Sequence, residues 1–468
     1  MGQYVVYHLH SDLSLLDSTT KFEDYILKAK ELGQKAICFT EHGNIMRWIA
    51  KKEACDKAGI KYLHGCEVYL TAQLEPKIRD NYHTILIAKN MDGLREINAL
   101  ISLSNEPSHF YFKPRISFDE FLNISNNVIK ISACLASPLS RIDDDIRELE
   151  LSLNSLLEEK PNVIKMLNEL LKDTGFTLED LLIQDNVCLG ENITKKNAES
   201  IVSMIEEYKK MLQNIDNYSS RLKVLKEARP KLLEAYDFYE IQPHINSKEQ
   251  KAYNTKLFEL SKQYNKPLIA GTDTHSLNQY KAECRSILQQ AKGIEFSTED
   301  DFDLTYKTYD ELVTMFEQQD VLPKRVYLQA IENTNVMADM CEEIELDKSF
   351  KYPKVYDDDV NTLRYRLWDM LRDKIKNGVI PKEQEQQFIE NIKTELDVFK
   401  KINMCGFMLF MSDLIIWCHQ NNIPTGIARG SCGGSCIAYV LDIIDLNPIQ
   451  WKTVFSRFAN EDRKEIGD

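Results

Sequence analysis

A chain of 468 residues, 43% hydrophobic and 28% charged, has material for more than one buried core, and at ~150 residues per domain it divides into two to four domains. Its formal charge of −15 excludes nucleic-acid binding by the surface at large, which needs Lys and Arg against phosphates, but leaves room for a local site where bound metals supply the positive charge. No apolar run approaches the ~18 residues of a membrane span and QYVVYHLH starts without a leader, so the eleven cysteines, scattered without framework spacing, are expected as reduced thiols in a cytoplasmic protein with no membrane partner.

From Tyr4 to about Ala136 short β-rich runs alternate with amphipathic helical stretches. They are VVYHL, FEDYILKAKEL, AICFT, a helix from Asn44 through Ala58, then LHGCEVYL, TILIA and VIKISA, which is a βαβ rhythm. Between Asp143 and Tyr236 the rhythm stops. Ile201, Met204, Ile205, Tyr208, Met211, Leu212 and Ile215 fall at helical spacing, and Thr177 with Asp180 forms a capping-box pair, so 143–236 reads as a helical insertion. Strand rhythm resumes at DFYEIQ and PLIAGTDTH, with a helix from Ser247 to Gln263 between them, and closes a first domain over 1–280. Residues 281–360 read as a helical connecting region jointed at Pro353. Residues 361–468 read as a second domain, with a long charged helix through Lys401, the apolar segment GFMLFMSDLIIWC and the glycine-rich turn IARGSCGGS.

Metal-ligand side chains stand at the ends of the strand-like runs. His8 and His10 follow VVY, His42 follows AICFT, Glu67 sits in GCEVYL, His83 opens TILIA, Cys134 closes VIKISA, and Asp273 and His275 follow PLIAG. A parallel β/α barrel gathers the C-terminal ends of its strands on one face, so these residues are expected to converge. Period-two alternation puts both histidines of His8-x-His10 on one side of their strand. Imidazole, carboxylate and a single thiolate together suit zinc, manganese or iron. Two or three such ions bridged by a carboxylate suit the hydrolysis of phosphate esters. A lone histidine at a strand end is more often a satisfied core residue than a ligand, and His64, His109, His244 and His419, being isolated, are assigned structural or surface roles. Cys432 and Cys436 have no second ligand pair nearby, which speaks against a zinc knuckle.

The strings HLHSDLSLLDS, AICFTEHGN, KAGIKYLHGCEVYL, HTILIAKN, ISACLASPL, YEIQPHI and GTDTHSL, taken in order, resemble the polymerase and histidinol phosphatase (PHP) domain. The stretch CGFMLFMSDLIIWCHQNNIPTGIARGSCGGSCIAYVLDIIDLNP resembles the segment where C-family replicative DNA polymerases, the bacterial DNA polymerase III alpha subunits, begin their palm. The implied fold is α/β: a PHP-type distorted β/α barrel with a helical insertion, a helical linker and an incomplete α+β palm. The resemblance implies that His8, His10, Glu67 and Asp273 hold a first metal, that Glu67 bridges to a second held with His83 and Cys134, and that Asp17, His42 and His275 hold a third. Glu67, Asp273 and His83 are then the catalytic residues of a metal-dependent 3′ to 5′ exonuclease, with zinc or manganese in the site. Glu41 and Thr272 depart from the family pattern without removing a ligand.

In the glycine-rich turn the resemblance assigns Arg429, Gly430, Ser431, Gly434 and Ser435 to the triphosphate of an incoming dNTP, following the general logic of glycine-rich phosphate cradles. Asp468 aligns with the first of the family's alternating aspartates, and those that hold the magnesium ions of nucleotide transfer would follow it. The expectation is therefore a chain inactive in polymerisation by itself, completed by a second polypeptide if the polymerase is split, with DNA primer-template, the sliding clamp and other replisome proteins as partners by resemblance. Two other functions stay open: a free-standing phosphatase of the histidinol-phosphate type, and a non-catalytic PHP scaffold for a partner polymerase chain.

Overall fold

Near-continuous apolar runs make strands that are buried on both faces, and β1 (Ala36–Phe39) is one, with all four residues buried. The computed structural model describes residues 2–75, 78–172, 174–183, 195–293, 302–347, 354–428 and 430–460. The other strands are β2 (Lys61–Thr71), β3 (Tyr82–Ala88), β4 (Arg115–Ser117), β5 (Val128–Ile131), β6 (Tyr239–Ile241) and β7 (Leu268–Ala270). One sheet has the order β1-β2-β3-β5 with β4 on β2, and a second pairs β6 with β7. Single bridges close these sheets into a ring: Ile131 to Phe238, Leu9 to Thr274 and Val6 to Ile37. VVYHL, expected as a strand, makes only the last two of these bridges. The Thr40 hydroxyl occupies the Leu9 N–H at 3.0 Å, where a ladder carbonyl would otherwise sit.

The barrel is distorted because β3 runs antiparallel to both β2 and β5, whereas β1 with β2 and β6 with β7 are parallel. Its interior is filled by Val5, Tyr7, Cys38, Leu63, Ile85, Ile87, Ile129, Ile131 and Ile269. Helices α1 (Phe22–Glu31), α2 (Trp48–Ala58), α3 (Met91–Ser104) and the short α4 (Phe118–Leu122) follow the early strands. The insertion consists of α5 (Pro138–Leu171), α6 (Leu178–Ile183) and α7 (Lys195–Ala235). Thr177 and Asp180 cap α6 reciprocally, through Thr177 N–H to Asp180 Oδ2 at 3.0 Å and Asp180 N–H to Thr177 Oγ1 at 3.2 Å. Leu167, Leu171, Leu181, Ile201, Ile205 and Tyr208 make a small core of the insertion's own.

After α8 (Lys248–Tyr264) come α9 (Gln279–Ala291), α10 (Tyr309–Gln319) and α11 (Lys324–Asp339). These helices, expected in a connector over 281–360, lie within the first of two compact units, Met1–Glu345 and Leu346–Asp468. The physical reason is α11. Its Met337 and Ala338, with Cys341 just past its end, join the barrel core. The Thr334 hydroxyl accepts the Val5 N–H at 2.9 Å, and Asn333 Nδ2 donates to the Leu268 carbonyl at 2.7 Å. The helix thus plugs the end where the strands begin and leaves the opposite end open for chemistry.

In the second unit α12 (Asp359–Lys376) and α13 (Glu385–Lys401) replace the one long helix expected. Gly378 at φ +70° and Pro381 interrupt the run. With α14 (Cys405–Gln420) and α15 (Cys436–Val440) they bury Leu363, Leu367, Phe388, Ile392, Phe399, Leu409 and Ile437 in a separate core. The described residues of this unit contain no strand, so the sheet of an α+β palm is not among them. The described cysteines are all free, and no single described helix is long and apolar enough to cross a membrane.

Glu395, on α13 and 2% exposed, accepts the Cys436 N–H at 2.8 Å, the Ile437 N–H at 3.0 Å and the Ser435 hydroxyl at 2.7 Å, fixing the start of α15. Burial raises its carboxyl from 4.5 to about 7 against the pull of those bonds. A folded value above the unfolded one stabilises fully below pH 4.5 and is lost as the pH rises through about 7. Thermal unfolding of the second unit is expected to become easier from about pH 5 to about pH 8, by on the order of 3 kcal/mol, and Glu395→Gln to flatten that slope. A melting temperature that holds or climbs across this range would show that the three hydrogen bonds outweigh burial.

Candidate metal centre

Glu67 is 1% exposed, and each of its oxygens faces a different set of imidazoles. Oε2 lies 3.0 Å from His8 Nε2 and 3.5 Å from His10 Nε2, while Oε1 lies 2.7 Å from His83 Nδ1 and 3.3 Å from His42 Nδ1. Asp273 Oδ1 completes the first set, 3.1 Å from His8 Nε2 and 3.5 Å from His10 Nε2. His8, His10, Glu67 and Asp273 each offer a ligand atom within 4.8 Å of the others. On the second side Cys134 Sγ stands 3.7 Å from His83 Nδ1. In a third group Asp17 Oδ2 lies 2.9 Å from His42 Nε2 and 3.2 Å from His275 Nε2.

His83 reaches this face although it stands at the start of its strand. Because β3 is antiparallel, its first residues lie where β2 and β5 end, in register with Tyr69 and beside the residues after Ile131. One candidate ligand and the residue before another use left-handed backbone: Asp273 itself at φ +44° and Ala133, just before Cys134, at φ +61°. Such conformations cost of order 1–3 kcal/mol and persist where the surroundings over-determine them.

The residues around the ligands decide which nitrogens are available. The Ser14 hydroxyl donates to Glu41 Oε2 at 2.6 Å, so at its 3.0 Å contact with His10 Nδ1 it must accept. His10 therefore carries its proton on Nδ1 and turns the Nε2 lone pair inward. Glu240, which sequence reading passed over, does the same for His8, accepting from Nδ1 at 2.7 Å, and is itself held by the Tyr7 hydroxyl at 2.8 Å and Gln242 Nε2 at 2.7 Å. A Cβ at Gly271 would sit 2.3 Å from the Glu240 carboxyl carbon, so glycine is needed there. The available signal was a carboxylate in YEIQPHI at the end of another strand-like run. Arg285 Nε and Gln289 Nε2, both on α9, were also missed; they hold Asp17 Oδ1 at 3.1 and 3.0 Å and leave Oδ2 to the third group.

Charge in the cluster is compensated internally. Burial alone would raise Glu67, but His83 and His42 hold it well below the carboxylate range; His8 holds Asp273 down in the same way. His42 is lifted to about 10, against burial, by Glu67 and Asp17. Burial and the nearby carboxylates of Asp273 and Glu67 push the Cys134 thiol well up, so a thiolate there requires a cation. Four buried atoms, His10 Nε2, His42 Nδ1, Glu67 Oε1 and Asp273 Oδ1, lie in these close contacts without the alignment of a hydrogen bond to any described residue, and all four face this cluster. Unsatisfied lone pairs that converge fit a divalent cation.

The remaining expected residues fall elsewhere. His64 is satisfied by Tyr62 and Asn98, His109 by Ser108 and Glu120, and His419 has Thr425, while the buried His244 has Gln242 on Nε2 and the Phe302 ring stacked on it but no partner for Nδ1 among the described residues. In the glycine-rich turn Gly430, at φ +95°, is exposed and Ser431 half-buried. Gly434 is packed so that a Cβ would meet the Val454 carbonyl oxygen at 2.5 Å, and Ser435 spends its hydroxyl on Glu395 and on the Ala438 N–H. Arg429 and Asp468 lie outside the described residues.

Residues 7–180 match the PHP domain, and residues 361–468 match the bacterial DNA polymerase III alpha NTPase domain. DNA polymerase III subunit alpha of Aquifex aeolicus is 28% identical over 488 residues, 99% of this chain and 36% of its own length. That of Borreliella burgdorferi is 28% identical over 487 residues, 100% of this chain and 35% of its own, and that of Helicobacter pylori 26% over 483 residues, 98% and 34%. The chain spans about a third of the length of these curated relatives.

Removal of Glu240, which is not placed to be a ligand, is expected to weaken metal binding. Glu240→Ala frees the His8 ring to rotate and should cost roughly 10–100-fold in affinity for the most tightly held ion, read by chelator competition on folded protein. An unchanged affinity would show that barrel packing alone orients His8.

Proposed function

Because the chain carries the PHP domain and a second segment of the bacterial DNA polymerase III alpha family, we propose that its first unit is a metal-dependent phosphodiesterase acting as a 3′ to 5′ exonuclease. The observation that carries this reading is the division of Glu67's two oxygens between two sets of imidazoles, with four converging buried atoms left unsatisfied. Ions bound there, zinc or manganese by the mix of donors, would supply an activated water and neutralise charge on the attacked phosphate.

The chain's own residues prepare that chemistry. His8, His10, Glu67 and Asp273 would hold one ion, Glu67 with His83 and Cys134 a second, and Asp17 with His42 and His275 a third. Glu240 and Ser14 fix the histidine tautomers, and the buried Lys51–Glu41 pair, with Nζ 2.7 Å from Oε1, holds Ser14 in place. Burial of the cluster removes competing water and lets these charges act in a low dielectric. An open cleft of about 490 Å³ gives access to Asp17, His42, Glu67, His83, Asp273 and His275, and a larger one of about 900 Å³ adjoins it at His83, Cys134 and Asp273. Arg141 and Lys256 line the larger cleft and suit the phosphates of a strand leading to the cluster.

DNA primer-template and dNTP are proposed as substrates of the whole polymerase, with the turn at the exposed Gly430 and half-buried Ser431 of the second unit offering backbone to a triphosphate. A free-standing phosphatase would give the second unit no task. The purified chain is expected to bind two or three divalent ions by elemental analysis and to release nucleotides from single-stranded or mismatched 3′ ends only when they are present. Glu67→Ala and Asp273→Asn should each lower that release at least about 100-fold, with the fold kept as judged by circular dichroism. Hydrolysis of a small phosphomonoester, with no release from DNA, would transfer the assignment to the phosphatase.

A further inference from the structure

The mouth of the 490 Å³ cleft above the ligands is unusually apolar for an open surface. Leu15 is 71% exposed, Leu16 44%, Phe110 44% and Phe112 60%, and all four line it together with Tyr69 and Lys113. Single exposed apolar residues need no explanation, but four around one polar cleft make a patch with a purpose. Leu16 and Phe112 stand at φ +67° and +59°, a region that bulky side chains rarely adopt.

The cations are placed beside rings. The Arg79 guanidinium lies 3.5 Å from the Phe112 ring centroid, and Lys113 Nζ lies 4.3 Å from the Tyr69 centroid and 3.1 Å from its hydroxyl. An apolar rim that carries cations beside its rings stands over the cluster of candidate metal ligands. That combination matches one ligand chemistry, a nucleobase that has left its stack, with its phosphate below.

Resting on the exonuclease reading, we propose that Leu15, Leu16, Phe110 and Phe112 form a base pocket that takes the unstacked terminal nucleoside of a single strand, so that the site selects frayed or mismatched ends over paired ones. A paired terminal base cannot enter, because its other face and its edge are already occupied by the duplex. Unpairing costs least at a mismatch, which turns the pocket into a discriminator without any reading of sequence.

The test compares three DNA oligonucleotides on the wild-type chain with Mn²⁺: a single strand with a normal 3′ nucleoside, the same strand ending in an abasic nucleotide, and a blunt duplex. The normal single strand is expected to be cleaved with the lowest KM. In Phe112→Ala and Phe110→Ala the preference for the base-bearing over the abasic end should fall roughly tenfold, through KM and not kcat. Fluorescence anisotropy of the same strands gives a readout independent of hydrolysis, with the variants expected to bind the base-bearing strand about tenfold more weakly. Equal handling of base-bearing and abasic ends by the wild type overturns the pocket. If bis(p-nitrophenyl) phosphate is still hydrolysed in that case, the phosphodiesterase reading survives alone. If nothing is hydrolysed that reading fails, and the anisotropy comparison decides the pocket.

Discussion

The constraint on which the first unit depends is the burial of Glu67 among imidazoles. A carboxylate taken out of water costs several kcal/mol unless it is paired, and Glu67 has neither a lysine nor an arginine among its nearest groups. It has His8, His10, His42 and His83, drawn from the loop after the first residues, the end of β1 and the start of β3. Each of those strands has to be in register for the charge to be met. The barrel therefore specifies the site, and the site's charge balance specifies the barrel's register.

Around that centre the second set of contacts is as determined as the first. Lys51, Glu41, Ser14 and His10 form one chain of contacts, and Tyr7, Gln242, Glu240 and His8 form another. Both end by fixing a ring whose Nε2 faces Glu67 and Asp273. Such chains set the tautomer as well as the position of a ligand, and a change in one is felt in metal affinity before it is felt in folding. Glu41 ties this shell together, since its side chain reaches Ser11, Ser14 and Lys51 at once.

The two ends of the barrel divide the labour. At the strand starts α11 supplies apolar side chains and hydrogen bonds, so that end is sealed and stable. At the other end the backbone is strained at Ala133, Asp273, Leu16 and Phe112, and apolar side chains stand in solvent. Backbone strain is thus concentrated at the end that carries the candidate ligands.

The sequence by itself determined which residues could be ligands and that they belong to the ends of strands, because period-two alternation and residue chemistry are local properties. It also determined the helical insertion and the capping box at Thr177, which depend on neighbours three or four residues apart. Only the tertiary structure decided that β3 runs backwards, which is why a histidine at a strand start joins residues at strand ends. Only it showed α11 as part of the barrel core, the break of the second unit's first helix at Gly378, and the packing of Gly434 against Val454 and of Ser435 on Glu395. Glu240, Arg285 and Gln289 were hidden for the same reason. Their role lies in partners 232 to 272 residues away, and no local pattern of spacing or polarity encodes a contact across that distance.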